Sequence, residues 1–220
     1  MKPLYLDWNL GLGDAIICNG MVRWLARDRD LIVASWNHNL PTVTHMFSDL
    51  KNVQVMHAGE ARARHRDGVA DILRVGITNP KWGLFEPWDE AFYYFAGVPF
   101  EAKWDLFHVP KSSTEMVQPP KGRFDLYHCD TARGFVFDPG RNCTAEDRMQ
   151  FKIEPRTPLL TDWRLFIRDA VEIHMIDSAP MHLAELLPTT GKLFYHKYAR
   201  SLGNRNHRDA TFRKPWVVLE

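Results

Sequence analysis

Apolar positions along the chain fall in short blocks, separated by stretches with helical spacing. Residues 3–7 form the first block and read as a strand. The Gly-rich turn Asn9-Leu10-Gly11-Leu12-Gly13-Asp14 follows, then a helix from about Asp14 to Arg27, with Ile16, Ile17, Met21 and Trp24 or Leu25 on one face. Residues 31–35, 53–56 and 71–77 read as strands. Residues 41–50 and 88–96 read as helices, the first with Pro41 near its start and the second closing at Gly97. This alternation predicts a parallel sheet covered on both faces. Ser112, Ser113, Pro119, Pro120 and Gly122 break it. The pattern then restarts: a strand at 124–128, a polar loop over 138–150, a helix over 160–170, a strand at 172–176, a helix from Ala179 to Leu187 and a strand at 192–196. The expected organisation is an α/β domain over 1–112, a linker over 113–122 and a second α/β domain over 123–220.

Composition changes this picture little. The chain has 220 residues, 45% of them hydrophobic and 25% charged, the balance of a globular protein with a sizeable core. A net charge of +1 does not mark a polyanion-binding protein as a whole. Basic residues do cluster, at Arg62, Arg64, His65 and Arg66 and again over 192–214, as solvated surface or as anion contacts. Three cysteines (Cys18, Cys129, Cys143) form no CxxC pair, which favours a reducing compartment over a disulfide framework. Residues 1–7 enter a strand at once, and no apolar run approaches a membrane span, so a soluble, cytoplasmic protein is expected.

Two strand-to-helix turns carry the candidate chemistry, because ligands of such sheets bind where strands end and helices begin. In the first turn, Gly11 and Gly13 allow close backbone approach to a ligand, but Ile16 stands where a dinucleotide fingerprint needs its third glycine. Asp14 there either caps its helix or serves as a general base. In the second turn, Ile176-Asp177-Ser178-Ala179-Pro180-Met181-His182 offers N-cap residues, a first-turn proline and N–H groups suited to an anion such as a diphosphate. The alternative is a plain capped connection. His174, His182 and His196 lie on different elements without ligand-type spacing, so no metal site is expected.

Gly11-Leu12-Gly13-Asp14-Ala15-Ile16, together with Asp177-Ser178-Ala179-Pro180-Met181-His182-Leu183-Ala184, resembles the bacterial heptosyltransferases. Ile16-Ile17-Cys18-Asn19-Gly20, Arg133-Gly134-Phe135 and His196-Lys197-Tyr198-Ala199-Arg200 are similar to segments of small heptosyltransferase-like proteins of viruses and bacteria. The resemblance implies a GT-B-like fold of two small Rossmann-like domains with parallel sheets facing a cleft. It implies an inverting, metal-independent glycosyltransferase without a cofactor, whose donor substrate is a nucleotide-diphosphate sugar. Asp14 matches the family's base. The donor contacts would come from Gly11, Gly13, Asp177, Ser178, Ala179, Met181 and His182, with Arg133, Lys197 and Arg200 as cations for the departing diphosphate. Ala179 departs from the family's glycine, and the chain is short for the family. The acceptor would be a hydroxyl of a surface glycan or of a hydroxymethylated base in phage DNA, placing a phage-encoded enzyme in the host cytoplasm. The rivals are a non-catalytic nucleotide-binding module and a nucleic-acid-binding virus protein.

Overall fold

The computed structural model describes residues 2–85, 87–111, 117–129, 134–138, 147–154, 158–201 and 210–220, with backbone only at Arg200 and Ser201. They form two compact units: residues 1–112 with 208–211, and residues 113–207 with 212–220.

In the first unit, β1 (Leu4–Asp7), β2 (Leu31–Ser35), β3 (Val53–His57) and β4 (Asp71–Arg74) make a parallel sheet of order β3-β2-β1-β4. Every residue of β1 and β2 is buried, as continuous apolar runs in the middle of a covered parallel sheet should be. α1 (Leu12–Ile17) and α2 (Asn19–Leu25) replace the single helix expected over 14–27, with Cys18 (φ −78°, ψ 0°) between them. They bury Ile16, Ile17, Met21 and Val22. α3 (Leu40–Met46) follows β2 and is shorter than expected. α4 (Ala58–Arg66) follows β3 at a place where the sequence pattern showed only basic residues. Ala58 and Ala61 of α4 pack in a cluster with Tyr5, Ile32, Ala34 and Met56; alanines on that face let the helix lie close to the sheet.

α5 (Glu90–Ala96) and α6 (Ala102–Asp105) complete this unit. Tyr93 donates from its hydroxyl to Ile17 O at 2.7 Å, tying α5 to α1. A Cβ on Gly20 would overlap the carbonyl of Ala102, so α2 and α6 meet only because position 20 is glycine. Asn19 continues that seam: its amide donates to His108 O and accepts from His108 N, both at 3.1 Å. The Cys-Asn-Gly segment is therefore packing machinery. Lys103 and Asp89, 1% and 0% exposed, pair at 2.6 Å, and both hold the backbone of Thr211.

In the second unit, β5 (Phe124–His128), β6 (Met149–Lys152), β7 (Glu172–Met175), β8 (Lys192–His196) and β9 (Trp216–Leu219) form a parallel sheet of order β6-β5-β7-β8-β9. β6 starts inside the stretch expected to be loop, and β9 was not expected at all. The helix anticipated over 160–170 is a 3-10 turn at Leu160–Trp163 followed by α7 (Arg164–Asp169). Phe124, Phe151, Trp163 and Phe166 interlock beneath it with ring centroids 5.1–5.7 Å apart. α8 (Ala179–Leu186) crosses from β7 to β8, and α9 (Tyr198–Ser201) follows β8. Buried Glu185 of α8 accepts from Trp216 Nε1 and Arg213 N at 2.8 Å, which pins β9. Lys214 donates to Ala184 O and Leu187 O, placing a cation on the C-terminal carbonyls of α8. No helix among the described residues is long and apolar enough to cross a membrane.

Candidate functional site

An open parallel sheet binds ligands at the point where its strand order reverses, beyond the carboxyl ends of the two strands flanking that point. In the first unit these strands are β1 and β4; in the second they are β5 and β7. Both turns singled out from the sequence lie there.

Beyond β1 the backbone of Gly11 is ordinary extended chain (φ −69°, ψ 147°), so the dihedrals do not require glycine. The requirement is room: a Cβ at position 11 would collide with the carboxylate of Asp14. Asp14 sits in the first turn of α1, half-buried, with its carboxylate lying over the N-cap residue Gly11. Gly13 lies in the same turn. Around them the crevice is closed by the protein itself. Ile77 N donates to Asn9 Oδ1 at 2.8 Å, and Thr78 Oγ1 donates to Asp7 Oδ2 at 2.7 Å. A Cβ on Gly76 would come within 2.7 Å of Asn9 N, so the loops after β1 and β4 touch backbone to backbone. Tyr5 also donates to Asp7, at 3.2 Å, and its hydroxyl is pushed up to about 12 by burial and by that carboxylate.

Beyond β7 the predicted residues come together. Ser178 occupies the N-cap position of α8 in extended conformation (φ −166°, ψ 171°), yet its side chain caps nothing. The hydroxyl donates to Ile176 O at 2.9 Å and lies 3.0 Å from His128 Nδ1. Asp177, 6% exposed, reaches forward to His182, whose Nε2 is 3.2 Å from Asp177 Oδ1. His182 was expected to point toward a ligand; it is 4% exposed and closes the turn on itself. Met181 is fully buried, and its N–H and that of His182 both reach Ser178 O. Pro180 has no N–H. Among the described residues, the N–H groups of Ser178 and Ala179 meet no acceptor, and these two residues are partly exposed. They are the donors that this turn offers to an anion.

The expected cations fare differently. Lys197 pairs with Glu220 at 3.6 Å and is partly exposed. Arg133 and the side chain of Arg200 lie outside the described residues. The basic residues of α4 are engaged locally, Arg64 with Glu60 and Gln54 and Arg66 with Asp67.

Sequence reasoning missed His128, whose only signal was its place at the end of a strand. It also missed a polar ladder on one face of the second sheet. Arg148 bridges Asp125 (2.9 Å) and Glu172 (3.0 Å). His174 Nδ1 contacts His196 Nε2 at 3.0 Å, and His196 Nδ1 contacts the Tyr198 hydroxyl at 3.2 Å. His174 Nε2 lies 3.5 Å from Glu172 but out of hydrogen-bonding alignment. The two histidines, treated as separate in the sequence, therefore touch. Burial pulls both below the ordinary histidine range, His196 to about 4 with help from His174, so the pair is neutral at pH 7. Among the described residues no group of three or more metal-type ligands converges. A cavity of about 350 Å³ lined by Lys2, Arg27, Asp28, Arg29, Asp30 and Asn52 opens beside the amino ends of β1–β3, the wrong edge for this class of site.

No protein-family model and no curated protein matches the chain. Solved structures do. The iron-containing dodecameric glycosyltransferase TibC from enterotoxigenic E. coli H10407 superposes with TM-score 0.57 at 11% identity, over 88% of this chain and 58% of TibC. E. coli ADP-heptose LPS heptosyltransferase II gives 0.51 at 13% identity, over 89% of this chain and 84% of that one. E. coli heptosyltransferase WaaC with ADP-2-deoxy-2-fluoro heptose gives 0.52 at 11% identity, over 100% and 93%. The fold is that of the GT-B heptosyltransferases. At such identities the heptosyltransferase-like fold is what the likeness establishes, and the chain spans 58% of the length of TibC.

Proposed function

We propose that the protein is a glycosyltransferase that takes its sugar from a nucleoside-diphosphate sugar. The carrying observation is the turn after β7. It lies at the reversal point of the second sheet, and it presents the N–H groups of Ser178 and Ala179 without an acceptor among the described residues. A diphosphate supplies the oxygens such donors need, and a helix amino end favours its charge. The heptosyltransferase-like fold supports the same reading, since TibC and WaaC are described with ADP-heptose or its fluoro analogue.

In this proposal Asp177 and His182 hold the turn, Lys197, Arg133 and Arg200 supply charge to the departing diphosphate, and Asp14 takes the proton of the acceptor hydroxyl. Gly11 keeps the space in which the Asp14 carboxylate lies. Inversion at the anomeric carbon and independence from metal rest on the family resemblance. The acceptor is proposed to be a hydroxyl of a glycan or of a hydroxymethylated base in DNA. Binding of DNA that falls steeply with added salt would select the latter.

The direct test is a thermal-shift panel of ADP, GDP and UDP. A ligand held only by the folded protein adds about 2.7 kcal/mol at one hundred times its Kd. At least one of the three is expected to raise the melting temperature. No shift with any of them would sink the proposal.

A further inference from the structure

The turn that offers its N–H groups is held from the neighbouring strand. Ile176 N donates to the backbone carbonyl of His128 at 3.4 Å, extending the β5–β7 ladder past the strand ends. Ser178 Oγ donates to Ile176 O at 2.9 Å and sits 3.0 Å from His128 Nδ1. A serine hydroxyl has one proton. With that proton on Ile176 O, the contact to His128 is made by a proton on Nδ1. The three residues then close a ring of hydrogen bonds: His128 Nδ1–H to Ser178 Oγ, Ser178 Oγ–H to Ile176 O, and Ile176 N–H back to His128 O. This ring spans the point where the strand order reverses. It fixes residues 176–178 while leaving the N–H groups of Ser178 and Ala179 outside it.

We infer that His128 is a positioning residue for a diphosphate: its Nδ1–H tautomer orients Ser178, and through it the turn that receives the phosphate oxygens. The inference rests on the nucleoside-diphosphate reading of this unit. Histidine suits the task because Nδ1 can donate in both the neutral and the protonated ring. The interaction is therefore independent of charge.

The experiment measures binding of ADP, GDP and UDP to the full chain and to His128 variants whose fold is checked by circular dichroism. His128→Ala leaves Ser178 without its donor, and binding is expected to weaken about tenfold, the effect of removing one hydrogen bond at a partly buried site. In His128→Asn the side-chain amide falls where Nδ1 was, so binding should return to near the wild-type value. In His128→Gln the amide falls near Nε2 instead, and binding should stay weak. His128→Ala combined with Ser178→Ala should cost no more than the worse single change, since both cut the same ring.

Two measurements separate positioning from charge. Nitrogen NMR of the free protein should show His128 protonated at Nδ1. The ratio of wild-type to His128→Ala affinity should stay level from about pH 6 to pH 8, whereas a cationic role would make it fall toward 1 as histidine loses its proton. An Nε2–H tautomer, additive single changes or a falling ratio would overturn the inference. So would wild-type affinity in a folded His128→Ala, and that result would leave the nucleoside-diphosphate reading standing. Failure of the wild-type chain to bind any of the three removes that reading and this inference together.

Discussion

Acidification should weaken the second unit through one ring. His196 is fully buried, stacked on Phe137 with ring centroids 3.9 Å apart and planes 3° from parallel, and bonded to His174 and Tyr198. Its pKa in the fold is about 4, because burial disfavours the cation and His174 adds to the effect. In the unfolded chain the ring returns to about 6.5. Between these values the unfolded state carries a proton that the folded state excludes, so stability falls as pH falls. The loss begins near 6.5, proceeds at up to about 1.4 kcal/mol per pH unit, and amounts to roughly 3 kcal/mol by pH 4. Above pH 7 this ring contributes no pH dependence. His174, lowered for the same reason, acts in the same direction. The assay is urea denaturation followed by circular dichroism at several values between about pH 7.5 and 4.5, on wild type and on His196→Gln. The amide can still meet His174 but does not titrate. Carboxylates near pH 4 are common to both proteins, so the difference in slope isolates the ring. Midpoints are compared rather than extrapolated free energies, because two units need not unfold as one. Equal slopes between about pH 6.5 and 4.5 would refute the reasoning.

Asp14→Asn should abolish sugar transfer while nucleoside-diphosphate binding stays near wild type, and substantial turnover in that variant would remove Asp14 as the base. Gly20→Ala places a methyl group against the Ala102 carbonyl and should cost about 1–3 kcal/mol, read as a lower melting temperature. Lys103→Met strands Asp89 at 0% exposure and should cost about 3–5 kcal/mol, whereas changing Asp89 to an apolar residue as well should recover much of it; the same melts report both.

The parts of the fold that the chain announces are those where local pattern and tertiary role agree. β1 and β2 are apolar runs because they lie inside a covered sheet, whereas β5, β7 and β8 interleave apolar residues with the polar ladder of Asp125, Glu172, His174 and His196. β6 and β9 lie at the two edges of the second sheet, where one neighbour suffices and burial is partial. Met149-Gln150-Phe151-Lys152 and Trp216-Val217-Val218-Leu219 therefore lack the buried run that marks an interior strand. α4 escaped notice because its buried face is alanine and its exposed face is arginine, a weak apolar stripe. The turn at 176–182 was legible as an N-terminal cap, but which atoms do the capping was not. Ser178 has the right chemistry for the N-cap, and a histidine fifty residues earlier redirects it. Interactions at that separation leave no local trace.

The two reversal points suit different tasks. In the first unit, the loops after β1 and β4 meet backbone to backbone through Gly76 and Asn9, with Asn9 Oδ1 taken by Ile77 N and Asp7 Oδ2 by the Thr78 hydroxyl. What that edge offers is a carboxylate, Asp14, at the start of α1. In the second unit the ends of β5 and β7 are joined by the side chains of His128 and Ser178, and the N–H groups of Ser178 and Ala179 meet no acceptor among the described residues. We accordingly assign the proposed diphosphate to the second reversal point, where the Ser178 and Ala179 N–H groups lie, and the proposed base to the first, where the Asp14 carboxylate lies over Gly11.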